Sequence, residues 1–168
     1  MNKVVVWILL LVPNVLVDVA ALLLAPLIAL LDERTANDLF SWFLTPDNPM
    51  TGDAGHEWRW LGKSEYVQKV AWLCRNRAYG FSSTVLRARS NGPVTVRGNP
   101  LVSNRPFVPG LVIRTTPEGY WQFYFVRRTF EGRCLRVNLG WKLWGTPGDG
   151  PLFGQYVFSA NPFMGLSE

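Results

Sequence analysis

Residues Val4 to Leu31 form 28 consecutive positions with one ionisable side chain, Asp18, in the run VVVWILLLVPNVLVDVAALLLAPLIALL. About 20 such residues cross a bilayer as a helix, because in lipid the backbone must satisfy its own hydrogen bonds. The run predicts a single-pass transmembrane anchor within residues 1–35. A cleaved secretory signal is one rival: Lys3 supplies a charged start and Val19-Ala20-Ala21 a small-residue cleavage motif. Cutting there would leave LLLAPLIALL exposed, which counts against it. A hairpin turning at Pro13-Asn14 is a second rival, but the run is too short to cross twice. A buried core helix is a third.

Polar residues complicate the span. A carboxylate in mid-membrane tends to be paired, protonated or turned toward other helices. Asn14 and Asp18 therefore mark a face that associates with a partner helix or a second copy. The plainer reading is one polar group outweighed by its apolar neighbours. Pro13 and Pro26 each remove a backbone donor and should kink the helix. Lys3 opposes a single Arg34 across the run, a balance that leans to an amino terminus inside.

Charge divides unevenly behind the anchor. Residues 1–56 hold two Lys and Arg against six Asp and Glu, a formal balance of −4. Residues 57–168 hold fifteen against six, a balance of +9. That asymmetry suits anionic headgroups, nucleic acid or an acidic partner. Thirteen of the seventeen basic residues are arginine, which forks onto phosphate and carboxylate. Cys74 and Cys134 fit no metal pattern. A disulfide between them would need an oxidising compartment, whereas Cys134, in a strand-like run, reads as a buried thiol.

Past the anchor, a juxtamembrane region over 36–62 is dense first in aromatics and then in turn formers. Leu39, Phe40, Trp42 and Phe43 fit a membrane–water interface. They belong to a short helix expected to end before Thr45-Pro46, because the residue before proline leaves the helical region. TPDNPMTGDAGH (45–56) is a structured turn region. Asp47, Asn48, Asp53, His56 and Glu57 gather there, but calcium-loop spacing is absent and the single histidine completes no zinc set. Asx-turns and caps account for Asp47, Asn48 and Asp53. Gly62-Lys63-Ser64 is no phosphate loop, since position 57 is Glu where glycine is needed.

A basic β-rich domain is expected over 63–168. Ser64 should cap a helix running to Arg75, with Tyr66, Val70, Leu73 and Cys74 on one face; Trp72 suits either that core or the interface. From about Ser82 the periodicity changes to two. Strand candidates include Val94–Val96, Leu111–Thr115, a hairpin joining Tyr120–Arg128 to Arg133–Leu143, and Gln155–Ser159 after a Gly/Pro-rich segment at Gly145–Gly154. On the second hairpin arm Leu135, Val137, Leu139 and Trp141 should face the core, with Arg136, Asn138 and Lys142 in solvent. The fold class is α+β: an amino-terminal transmembrane helix, a short helical region, then a small antiparallel sheet or partly open barrel.

Aromatics interleaved with arginine in YWQFYFVRR would let a basic sheet stack nucleic-acid bases, with Arg127, Arg128, Arg133 and Arg136 as contacts for an anionic partner. No nucleic-acid module signature accompanies them. No catalytic nucleophile set stands out, and no catalytic residue, metal site or cofactor is expected. An enzyme using Asp47, Asp53 and His56 is the weakest reading.

LFSWFLTPDNPMTGDAGH (39–56) followed by VAWLCRNRAYGFSSTVL (70–86) resembles a family of small proteins, without an assigned activity, encoded by tailed bacteriophages and prophages. The first stretch carries the resemblance on Trp42, Phe43, Thr45, Pro46, Asp47, Asn48, Pro49, Gly52 and Asp53. The second carries it on Arg75, Asn76, Ala78, Tyr79, Gly80 and Phe81. Arg77 stands where the family pattern has proline, which puts a tight turn there in doubt. The resemblance implies a phage setting and little chemistry. Together these features point to a non-catalytic, single-pass protein of the bacterial inner membrane, or of a virion. Its partners would be the membrane and another protein or a second copy, with tethered nucleic-acid binding as the alternative.

Overall fold

The structure, a computed structural model, describes residues 1–143 and 152–165. Of the expected turn segment Gly145–Gly154, residues 145–151 lie outside the described residues. The architecture is α+β: a long apolar helix, several short helices and a mostly antiparallel β region. The chain forms two compact units, Met1–Leu9 with Arg87–Glu168, and Leu10–Leu86. The units meet in the chain at Leu9/Leu10, inside the long helix, and at Leu86/Arg87, and the helix after Ser64 lies in the same unit as the turn region before it.

α1 (Lys3–Ile28) is one continuous 26-residue helix with Pro13 and Pro26 inside it. It is long and apolar enough to cross a membrane. Its burial is one-sided. Trp7, Asn14, Ala21, Ala25 and Ile28 are buried, at the three-, four- and seven-residue spacing of a single helix face. Val4, Val5, Ile8, Leu9, Val12, Val15, Leu16, Val19, Leu22, Leu23 and Leu27 are exposed.

In the helical unit, short helices are started by side-chain caps. Asp32 accepts from the Thr35 N–H at 3.0 Å and opens α2 (Glu33–Phe40), which tightens into a 3₁₀ turn at Ser41–Phe43 before Thr45-Pro46. Asp53 opens α3 (Ala54–Arg59), and Ser64 opens α4 (Glu65–Arg75) as its sequence signals. The core joins Ala25, Ile28 and Ala29 to Ala36, Leu44, Met50 and Leu73. Trp72 goes to the interior, whereas Tyr66, assigned to the apolar face, is exposed. Ser82 remains helical, in a π-helical turn at Phe81–Val85, so extended structure begins later than its periodicity implied.

The other unit is built on five antiparallel strands. β1 (Ala88–Ser90) pairs with β8 (Leu152–Gly154), and β3 (Ser103–Asn104) with β4 (Phe107–Val108). The main sheet runs in the order β2 (Thr95–Gly98), β5 (Gly110–Thr115), β6 (Trp121–Phe130), β7 (Arg133–Trp141) and β9 (Tyr156–Gly165). It is an open sheet edged by β2 and β9, with the expected β6–β7 hairpin near its middle.

On β7 the expected burial is met at Trp141, 1% exposed, and reversed at most other positions. Cys134, Asn138 and Gly140 are buried on β7, while Leu135, Val137 and Leu139 are only half-buried. Cys134 joins Val102, Val112, Tyr124 and Val126 in a small core. Beside it runs a polar ladder: Arg114 donates to Gln122 Oε1 at 3.4 Å, and Gln122 Nε2 donates to Asn138 Oδ1 at 3.0 Å. Gln122 Oε1 also accepts from the Leu143 N–H at 3.2 Å. Polar groups tolerate burial when they find partners, so this face closes although half its residues are polar. The opposite face carries Ile113, Phe123, Phe125, Leu135, Val137 and Leu139 half-buried, with Phe158 55% exposed.

Candidate functional site: the loops around Trp72

Both stretches that carry the phage resemblance lie in the helical unit, and they pack on each other. Trp72, 4% exposed, belongs to the second stretch and packs against the first. Its indole N–H donates to Thr45 Oγ1 at 3.0 Å, and that hydroxyl donates to the Asn48 carbonyl at 3.1 Å. His56 meets the indole edge-on at 5.1 Å, and Arg75 lies 5.4 Å from its ring centre. Gly52, at φ 98°, closes the turn that begins at Pro49, donating its N–H to the Pro49 carbonyl at 2.9 Å. A Cβ there would fall 2.7 Å from the indole, so close approach and left-handed backbone both call for glycine.

The second stretch turns back at Asn76–Tyr79 and docks on the first through Gly80 and Phe81. Asn76 ends α4 and the Tyr79 N–H returns to its carbonyl at 3.1 Å, with Ala78 at φ 50°. A tight turn thus forms although Arg77 replaces proline. Gly80 lies so near the 3₁₀ turn that a Cβ would fall 2.0 Å from the Ser41 carbonyl oxygen. Phe81 packs on Trp42 at 5.2 Å, and Phe40 on Phe43 at 6.2 Å. Burial, reinforced by the charge of Asp47, pushes the Tyr79 hydroxyl pKa up. Leu39 to Phe43 line an open hollow in which Trp42 is half exposed.

The acidic and imidazole groups of the loop are occupied in holding it. Asp53 Oδ1 accepts from the His56 N–H at 2.7 Å, and Glu57 accepts from the Thr51 hydroxyl at 3.3 Å. His56 is 1% exposed; its Nε2 lies 3.0 Å from the Gln68 carbonyl, which requires the proton on that nitrogen. Among the described residues His56 Nδ1 has no hydrogen-bond partner, and no three His, Cys, Asp or Glu side chains converge. Pro46 and Asp47 are exposed. The arrangement binds two loops together through an indole, a hydroxyl and two glycines.

The remaining candidates are dispersed. Asn14 is 7% exposed and donates to Asp18 at 3.4 Å, one turn along α1. Arg77, in the second stretch, lies within electrostatic reach of Asp18. Of the four arginines, Arg127 and Arg133 alternate onto the apolar side of the sheet, and Arg128 and Arg136 onto the side of the polar ladder. Arg133 donates to the Phe163 carbonyl at 3.1 Å, and Arg128 covers the Phe107 ring at 5.0 Å. Arg136 is half-buried beside Tyr124 and Cys134. The four do not share a face. Both cysteines are free, and burial pushes the Cys134 thiol pKa up.

Trp7 escaped the sequence reading. Its indole N–H donates to the Val157 carbonyl at 3.2 Å, and the Tyr156 hydroxyl donates to the Trp7 carbonyl at 3.0 Å. Its ring packs on Trp121, Tyr156 and Phe158 at 5.2–6.0 Å. The available signal was its position as the sole aromatic in the apolar run.

A family model described as "Family of unknown function (DUF7338)" matches residues 1–168, and the chain belongs to that family. No curated protein and no solved structure matches it.

Proposed function

We propose that this DUF7338 chain is a phage- or prophage-encoded protein held at the host inner membrane by α1, where its β-rich unit binds a partner without catalysis. The observation that carries the reading is the outer side of α1, aliphatic and exposed along the helix. Exposed apolar area of that extent on one element calls for a non-aqueous neighbour. Length alone fits a single pass. The phage setting rests on the two stretches around Trp72, and within it the protein acts during infection or lysis, or in the virion. The partner is another protein or a second copy.

Flotation of the full chain with sealed phosphatidylcholine–phosphatidylglycerol vesicles tests the anchoring, and protein left at the bottom of the gradient refutes it. Lysis, packaging or tail genes beside its own would narrow the role, while a setting without phage genes removes the phage half. Tethered nucleic-acid binding is the second reading, favoured by exposed Arg127, Arg128 and Arg133 and by the balance of +9 over residues 57–168. Phosphate contacts make affinity fall steeply with salt, so a flat salt titration against DNA ends that reading.

A further inference from the structure

The length of α1 permits a span, but its docking does not. Every strand of the sheet follows α1 in the chain. Among the described residues α1 is the one helix long and apolar enough to cross a bilayer. In a single pass, residues after Ile28 would emerge on the side opposite Lys3. Trp7, four residues into the helix, would then be separated from β6 and β9 by about 30 Å of hydrocarbon. Instead Trp7 lies in contact with both strands through two hydrogen bonds and three aromatic rings. Lys3, near the start of α1, stands 4.3 Å over the Tyr120 ring in the same unit.

We propose that α1 lies flat in one leaflet, parallel to the membrane surface, with its outer aliphatic side in the acyl chains and Trp7 docked on the chain's own sheet. The inference rests on the membrane reading above and replaces its single pass. In-plane helices ordinarily pair an apolar face with a charged one that meets water. Here protein covers the second face, which accounts for apolar and small residues such as Ala21 and Ala25 on it. Lipid is the occupant because Val5, Val12, Leu16, Val19, Leu23 and Leu27 offer a neighbour only aliphatic surface. On the sheet side, exposed Arg127 and Arg133 beside half-buried Leu135 match anionic headgroups over a shallow apolar layer.

Depth measurement decides between the two geometries. Val5, Leu16 and Leu27 are all exposed and sit eleven residues apart, close to three full turns, so they share one side of α1. Nitroxides would be placed singly by Val5→Cys, Leu16→Cys and Leu27→Cys in a Cys74→Ser background, leaving buried Cys134 in place. The full chain, tagged at both ends, is added to preformed sealed phosphatidylcholine–phosphatidylglycerol vesicles. Equal, shallow depths at the three positions, with both tags cut by external protease, are expected. A deep Leu16 between two shallow ends, with one tag protected, overturns the in-plane geometry but leaves membrane anchoring intact. Failure to float with the vesicles overturns both.

Discussion

The two units differ in how far polar side chains share the interior with apolar ones. The helical unit follows the usual rule: Ala25, Ile28, Leu44, Met50, Trp72 and Leu73 go inside, and Asp32, Asp53 and Ser64 stay at helix starts. The sheet of the other unit closes its side bearing Arg114, Gln122 and Asn138 and leaves Phe123, Phe125, Leu135 and Val137 half open. One unit is held by apolar packing, and the other adds a hydrogen-bonded polar ladder to a core of Val102, Val112, Tyr124, Val126 and Cys134. An interior of the second kind tolerates its polar groups because every rung meets another, and it frees apolar area for a neighbour outside. What a substitution costs should therefore depend on which unit receives it.

The largest effect falls at Trp72. Trp72→Ala removes the packing against His56 and the indole hydrogen bond to Thr45 and opens a void, so a loss of about 3–5 kcal/mol in unfolding free energy is expected. Phe158→Ala, on the open side of the sheet, should cost about 1 kcal/mol, because more than half of that residue stays exposed. Denaturant titration of both variants measures the contrast. Equal costs would mean that the apolar side of the sheet is packed after all.

Gly80→Ala comes next. The backbone at Gly80 is ordinary right-handed helix, so any cost must come from the Ser41 carbonyl 2.0 Å from the new Cβ. Forcing the 3₁₀ turn away from the second stretch should cost about 1–3 kcal/mol. It should also shift the fluorescence of Trp42, which packs on Phe81. Unchanged stability would show that the two stretches do not brace each other.

Gln122→Leu probes the polar ladder directly. It leaves Asn138 Oδ1 and the Leu143 N–H without the partner that Gln122 supplies, at a cost of about 1–3 kcal/mol despite the gain in apolar surface. An increase in stability, read from thermal unfolding, would instead place this side of the sheet under the apolar rule of the helical unit.

Most of the architecture was legible because its signals are local. An uncapped apolar run has to be a helix, Ser64 and Asp53 announce helix starts, and the β6–β7 hairpin lies on either side of its turn. Burial on β7 was legible at Trp141 but not along the rest of the strand. Alternation tells which residues share a side, but which side closes depends on Arg114 and Gln122 meeting Asn138 from other strands. The docking of Trp7 was hidden for the same reason, since Val157 lies 150 positions away. The cluster around Trp72 was half visible: the residues of both stretches stood out, whereas their meeting needed the tight turn at Asn76–Tyr79, which Arg77 obscured.

The smallest effect tests how each unit uses its surface carboxylates. In the helical unit Asp32 and Asp53 cap backbone N–H groups three residues ahead. In the other unit Glu118 reaches across the chain, accepting from the Ser90 hydroxyl at 2.6 Å and the Asn91 N–H at 3.1 Å. Hydrogen bonding to its carboxylate, from Ser90 foremost and then from its own backbone N–H, brings its pKa from 4.5 down to about 2. A carboxylate with a depressed folded-state pKa contributes stability that is complete above the unfolded value and lost as pH falls through the folded one. Stability of the native chain should therefore decline between pH 4.5 and about 2 in a step to which Glu118 contributes. Glu118→Gln should flatten that step while changing little near neutral pH, because glutamine keeps an acceptor oxygen but no titrating group. Thermal unfolding of both proteins across this range reads the difference. Parallel pH profiles would mean that Glu118 bonds no better to Ser90 when folded than to water when unfolded.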